Sequence, residues 1–209
     1  MGKIAAFIES DGWANTLRFI WKGVRGYFAH TSHTYCLFAD RSSVRGGYSA
    51  DYKMIGNVGD LENIDFPRLK SCPWRKWLNE GSRVVIIYEK EEPVAFGWTH
   101  FKSHSIEAVG TFDLGDNKAW LGPSFVHHKH RGHGLQKALI SIGVNDAPKS
   151  IKSFITSVNA GNIASLRSFE KCGFKKGLEA SHTAGLFAKT RTETCVLDSS
   201  SNNYFKLTQ

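Results

Sequence analysis

The chain has 209 residues, 41% of them apolar and 22% charged, and its 27 Lys and Arg against 19 Asp and Glu give a formal charge of +8. That length suffices for one domain with a full core, burying roughly 70% of its unfolded surface. No stretch reaches the ~20 apolar residues of a membrane span, and the cysteines at 36, 72, 172 and 195 have neither Cys-x-x-Cys spacing nor the density of a disulfide scaffold.

Taken in order, MGKIAAFIESDGW lacks the apolar core and cleavage site of a signal peptide, so a cytoplasmic protein with reduced, buried cysteines is expected. Residues 13–28 place Trp13, Leu17, Ile20, Trp21, Val24 and Phe28 on one helical face, with Arg18, Lys22 and Arg25 around the other. A basic amphipathic helix can make peripheral contact with an anionic membrane, although packing on its own domain is the commoner use. TYCLFAD at 34–40 reads as a short strand, and the turn-rich RSSVRGGYSAD then separates residues 1–50, an accessory segment packed on the core, from the main domain at 51–198. Tyr52 to Val58 reads as the first core strand, and Asp60-Leu61-Glu62 opens a helix. Prolines 67 and 73 break the next region into short helices ending in WRKWLNEG. Residues 83–89 and 94–101 make a hairpin across Glu91-Glu92-Pro93. Residues 105–114 read as a further strand or arm, and 119–126 as the central strand, where Pro123 demands a bulge or an edge. Residues 151–158 are the neighbouring strand, 175–198 a final antiparallel hairpin, and 199–209 a mobile tail.

The run from Val126 to Ile142, VHHKHRGHGLQKALISI, organises the rest. An apolar strand ends in a cationic turn and passes directly into a helix whose Leu135, Ala138, Leu139 and Ile142 recur at i, i+3, i+4 and i+7. Gly132 and Gly134 let the backbone approach an anion closely, and the first amides of the helix, with its dipole behind them, point at the same place. That is a pyrophosphate cradle. A dinucleotide fingerprint would need a third glycine where Lys137 stands, and a P-loop would need Gly-Lys-Ser/Thr. Residues 159–174, NAGNIASLRSFEKCGF, form a second signature, with Asn162 as N-cap and Gly173 suited to a left-handed C-terminal position.

Together the two stretches resemble the GNAT acyltransferase superfamily. Its motif Arg/Gln-x-x-Gly-x-Gly/Ala is read here as Arg131, Gly132, His133, Gly134, Leu135 and Gln136, with Gln136 departing from the small residue usual there. Its second motif falls on Asn162, Ser165, Phe169, Glu170, Lys171, Gly173 and Phe174. The resemblance implies an α+β fold: a central, mostly antiparallel mixed sheet with a splayed central strand pair and helices on both faces. It implies acetyl-CoA or another acyl-CoA as co-substrate and no metal. Cofactor-binding positions are then Arg131 to Gln136, Asn162, Ser165 and Phe169, with Ser124, Phe125 and Val126 offering backbone groups to the pantetheine arm.

An amine acceptor must lose a proton, which costs roughly 4 kcal/mol at neutral pH. The central strand carries no carboxylate, so the candidate bases are Glu107, Asp113, Asp116 and His127. Phe169 stands where many family members have a tyrosine that protonates the leaving thiolate. This departure keeps a non-catalytic acyl-CoA sensor open beside the N-acyltransferase reading. The positive charge fits a groove for an anionic ligand or a generally basic surface. Nucleic acid is a weaker partner, because the chain has no aromatic-basic repeat and no recognisable module. Neither the acceptor nor the oligomeric state is written in a motif.

Overall fold

The strands are β1 His30–Asp40, β2 Asp51–Ile55, β3 Arg83–Glu89, β4 Glu92–His100, β5 Ser103–Ile106, β6 Gly110–Asp113, β7 Lys118–Val126, β8 Ser153–Asn159, β9 Lys175–Gly185 and β10 Ala188–Val196. Eight of them form one sheet in the order β10-β9-β1-β8-β7-β4-β3-β2, while β5 and β6 make a separate ribbon. The helices are α1 Val58–Glu62, α2 Pro67–Lys70, α3 Trp74–Asn79, α4 Leu135–Asn145 and α5 Ile163–Lys171. This computed structural model describes residues 12–13, 16–17, 21, 30–46, 50–106, 110–185 and 188–205. Most of the amphipathic stretch at 13–28 lies outside them. Of its described residues, Trp13, Leu17 and Trp21 face solvent and Thr16 is buried.

Alternation along the strands builds two layers. Ala95, Gly97 and Thr99 of β4 and Ala119 and Leu121 of β7 face α4 and α5, against Leu139, Ile140, Val144 and Leu166. Phe96 and Trp98 face the other way, into an apolar cluster with Leu61, Phe66, Leu69, Trp74 and Leu78 of α1 to α3 and the loops joining them. The β5–β6 ribbon extends this second layer over β7, β8 and β1, burying Phe112 against Trp120 and Ile155.

All neighbouring strands are antiparallel except β7 and β8, which pair in parallel only at Lys118–Ser153, Ala119–Phe154 and Trp120–Ile155. A last tie follows, in which Thr156 Oγ1 donates to the Leu121 carbonyl at 2.6 Å. Beyond it β8 continues along β1 as far as Asn159, whereas β7 follows β4 to Val126. The cause is local. Between the Thr99–Leu121 and Gly97–Ser124 pairs, Gly122 and Pro123 stand opposite Trp98 alone, a β-bulge that bends the strand and splays it.

Several readings from sequence change. The strand near 34–40 runs from His30 to Asp40 and lies inside the sheet, between β9 and β8, rather than in a segment ahead of it. The hairpin of β3 and β4 turns at Lys90-Glu91, both with positive φ (49° and 68°), so Glu92 and Pro93 already belong to β4. Within 105–114, Ser105 and Ile106 end β5 and Gly110–Asp113 form β6, so the stretch is divided between the two strands of the ribbon. The tail is packed through Phe205: Tyr204 and Phe205 contact Phe38, and Tyr204 Oη donates to Asp40 Oδ1 at 2.9 Å. Cys36 and Cys172 are buried and Cys72 is half-buried, but Cys195 on the edge strand is exposed.

Candidate functional site

A groove of about 920 Å³ opens where β7 leaves β8, lined by Ser124 to Val126, the loop from His130 to Gly134, the start of α4 and one face of α5. Gly132 and Gly134 have φ of 89° and 81°, values that favour glycine and that turn the chain into the helix. Gly134 is the N-cap, and its carbonyl takes the first intrahelical bonds, from Lys137 and Ala138. The amides of Leu135 and Gln136 therefore precede the helical ladder, at the positive end of the dipole.

The other end of α4 is anchored. Arg41, just after β1, donates from one guanidinium nitrogen to the carbonyls of Val144 and Ala147, at 2.8 and 2.7 Å. A cation on the last carbonyls complements the dipole and fixes the direction in which the helix start points.

Opposite α4, the Asn162 side chain accepts from the Ser165 amide at 3.2 Å, and Asn162 and Ser165 both border the groove. The helix α5 ends in a Schellman motif: the Phe174 amide donates to the Phe169 carbonyl, the Gly173 amide to that of Glu170, and the Phe169 and Phe174 rings meet at 5.1 Å. Phe169 is thereby held in the core beside Leu166 and is not among the groove's lining residues. Sequence reasoning placed it against the thioester arm; the helix rotates it away. That same rotation gives the groove Arg167 and Lys171, which with Arg131 and Lys137 make its walls cationic. These cations were readable from the i, i+4 spacing of α5.

Side chains of the loop are engaged with their surroundings. Arg131 Nε donates to the Val126 carbonyl at 3.0 Å, and its guanidinium stands 6.0 Å from the Phe125 ring centre. His130 Nδ1 lies 2.8 Å from Glu89 Oε2. The His133 backbone sits between the two glycines. Gln136 Nε2 donates to Ser124 Oγ at 2.9 Å, bridging the helix to the strand. Gly132 and Gly134 are the positive-φ pair, Gly134, the motif's fourth position, is the N-cap, and Leu135 and Gln136 open the helix.

The candidate bases fare differently. Asp113 accepts from the Gly115 amide at 3.0 Å, and Asp116 is exposed in the following turn. Both precede Lys118, which is six residues and roughly 20 Å of strand from Ser124. The His127 amide continues the ladder to Val94, and its Nδ1 accepts from the Lys129 amide at 3.4 Å. Glu107 lies outside the described residues. Among the described residues, no cluster of three or more His, Cys, Asp or Glu is arranged to hold a metal ion.

Two histidines that sequence reasoning passed over stack beside Trp120, the last β7 residue paired with β8, and do not line the groove. His100 is buried at the end of β4, its Nδ1 2.8 Å from Ser82 Oγ, while Nε2 has no partner at hydrogen-bonding geometry. Its ring stacks on His104 of β5 at 4.7 Å, and His104 stacks on Trp120 at 4.7 Å. Burial pushes His100 down to about 3, and the neighbouring His104 adds to this while the Gly122 main chain pulls the other way. Burial alone lowers His104 to about 4. The alternation Phe96, Trp98, His100 carried a signal, since it puts a histidine in a buried phase.

A strand edge left open by a bulge, facing a glycine turn and a helix start, matches the sequence resemblance, and the Acetyltransferase (GNAT) family profile covers residues 54–174, more than half the chain. The chain belongs to the GNAT acetyltransferase family. Solved structures share the fold at low identity. A putative GNAT acetyltransferase from Novosphingobium aromaticivorans aligns with a TM-score of 0.54 at 13% identity, over 74% of this chain and 63% of that one. A GCN5-related N-acetyltransferase from Kribbella flavida gives 0.51 at 12%, over 87% and 67%, and a GNAT-family acetyltransferase from Colwellia psychrerythraea 0.50 at 14%, over 75% and 58%. The chain thus spans about three-fifths of the length of two of these structures. No curated protein matches it.

Proposed function

We propose that this GNAT chain is an acyl-CoA-dependent N-acyltransferase that moves acetyl from acetyl-CoA to a primary amine by direct attack in a ternary complex. One observation carries the reading: the open edge of β7 and the start of α4 border a single cationic groove. The diphosphate lies against the amides after Gly134, and the arm pairs with main-chain groups of Ser124 to Val126. The acyl carbonyl then sits near the bulge, where a main-chain amide stabilises the tetrahedral oxyanion by about 3 kcal/mol. Arg131, Lys137, Arg167 and Lys171 attract the phosphates.

Thiol release from acetyl-CoA against an amine panel tests the reaction. Arg131→Ala and Gly134→Glu should each weaken acetyl-CoA binding, the second by placing a side chain and a negative charge in the cradle. If neither weakens it, the cradle is misassigned. A second reading, an acyl-CoA sensor, draws on Phe169 in the core and on the lack of a carboxylate among the described residues lining the groove. It predicts saturable binding without acceptor-dependent turnover.

A further inference from the structure

The acyl-transfer reading leaves two proton steps without a residue. Among the groove's described lining residues there is no carboxylate, its histidines, His130 and His133, belong to the glycine loop at the phosphate end, and the leaving thiolate has no tyrosine, since Phe169 points into the core. The fork beside Trp120, where β7 leaves β8, offers both in one place.

Trp120 is the last residue of β7 paired with β8, and the strands diverge just beyond it, at the Thr156–Leu121 tie. On the face opposite α4, Trp120 is covered by the His104 ring, and His104 by the His100 ring, whose β4 position pairs with Trp120 itself. Trp77 of α3 closes the stack edge-on against His100, at 4.9 Å. His100 is fixed from behind by Ser82 and is fully buried, whereas His104 keeps partial exposure. The pair thus stands at the fork where an arm threaded along β7 would end, on the side away from the phosphate-binding helix.

We propose that His104, held in place by His100, takes the proton of the attacking amine at this fork and hands it to the departing thiolate. This rests on the acyltransferase reading. The amine attacks in its neutral form, its ammonium proton already lost to bulk water, and from there the balance is complete without any further reactant. The amine nitrogen forms a bond to the thioester carbon as the carbonyl pair moves to oxygen, and the ammonium so formed gives its proton to a ring nitrogen of His104. The C–S bond then breaks, sulfur keeps the pair, and the imidazolium proton passes to it, leaving amide and free thiol. Burial keeps both rings neutral near pH 7, so a ring lone pair is available, although it makes each a weaker base than an exposed imidazole. A buried imidazolium is also a strong acid beside a thiolate, whose ordinary pKa is about 8.5, so the second transfer runs downhill. Among the described residues, the groups packed on the two rings, Trp77, Trp98, Trp120 and Ser82, carry no charge that would hold the proton back. In these terms His104 is the catalytic residue and His100 a positioning residue.

Two measurements on the full chain test this. In the first, histidine ring nitrogens are followed by NMR, with His104 assigned from its loss in His104→Gln, while acetyl-CoA or adenosine 3′,5′-bisphosphate is added. The bisphosphate lacks the pantetheine arm. The His100 and His104 signals should shift with acetyl-CoA and stay still with the bisphosphate. If acetyl-CoA binds and neither ring responds, the proposal falls alone; if neither compound binds, the acyl-CoA reading falls with it. The second compares wild type, His104→Gln and His104→Ala in thiol release with an amine that wild type turns over. The kcat should drop about 100-fold with acetyl-CoA affinity unchanged, and added imidazole should restore some of the His104→Ala rate. An unchanged kcat, or a loss of affinity that matches the loss of rate, overturns the role. Absence of turnover by wild type with every amine overturns both this proposal and the enzymatic reading.

Discussion

Acid should destabilise this protein through two rings, His100 and His104, by an amount the fold sets. The folded chain holds them neutral down to about 3 and about 4, while an unfolded histidine titrates near 6.5. Between those values the unfolded state binds more protons, so stability rises with pH, is complete above about 6.5, and is lost on acidification until the folded rings protonate. Each ring contributes a slope of about 1.4 kcal/mol per pH unit, so at pH 4.5 each has lost about 2.7 kcal/mol and the pair about 5. That is a large share of a typical 5–15 kcal/mol total. Urea unfolding of wild type and His104→Gln at pH 7.5 and 4.5 measures it. Carboxylates common to both chains cancel in the comparison, and the loss between the two pH values should be about 2.7 kcal/mol smaller in the variant. Equal losses in the two proteins, or a wild type that gains stability in acid, would refute the reasoning.

Gly173→Ala should cost about 3 kcal/mol, because φ is +95° and an added Cβ would run into the Ser43 carbonyl, whereas Gly115→Ala, at φ +56° in open space, should cost about 1. Urea midpoints that agree for the two variants would remove the backbone contact from the account. Arg41→Ala strands two helix-end carbonyls and should lower stability by about 2 kcal/mol, with Arg41→Lys recovering less than half of it, since an ammonium lacks the planar guanidinium's forked geometry. A thermal melt of the lysine variant matching wild type would contradict this. Gln136→Ala frees Ser124 at the strand edge and should tighten acetyl-CoA about five-fold, the equivalent of one hydrogen bond of about 1 kcal/mol; calorimetric titration showing weaker binding would mean that Gln136 holds the ligand instead.

What the sequence made legible is what neighbours in the chain decide. Asn162 caps α5 and Gly173 closes it because both act within one turn, and the two glycines before α4 turn the chain on their own. Pairing between distant segments was harder to read. Nothing in TYCLFAD tells that it will sit between β8 and β9, since that place depends on partners more than a hundred residues away. The β3–β4 turn was set two residues late because Pro93 attracted it, while the left-handed pair is Lys90-Glu91, without the glycine or asparagine that such turns favour. The histidine pair needed the ribbon: alternation buries His100, but His104 reaches it only once β5 folds back over Trp120.

The two-against-one step at Gly122 and Pro123 keeps Trp120 and Phe125 on one side of the sheet although five positions separate them. Removing Pro123 would give a regular strand with every side chain still facing its own layer, so the protein should melt almost as before. The strand would, however, have no reason to leave β8, and acetyl-CoA should no longer enter. On the proposed reading, admission of the ligand would be decided by residue count, separately from stability, and a one-codon deletion would harm this protein in a way that few substitutions could imitate.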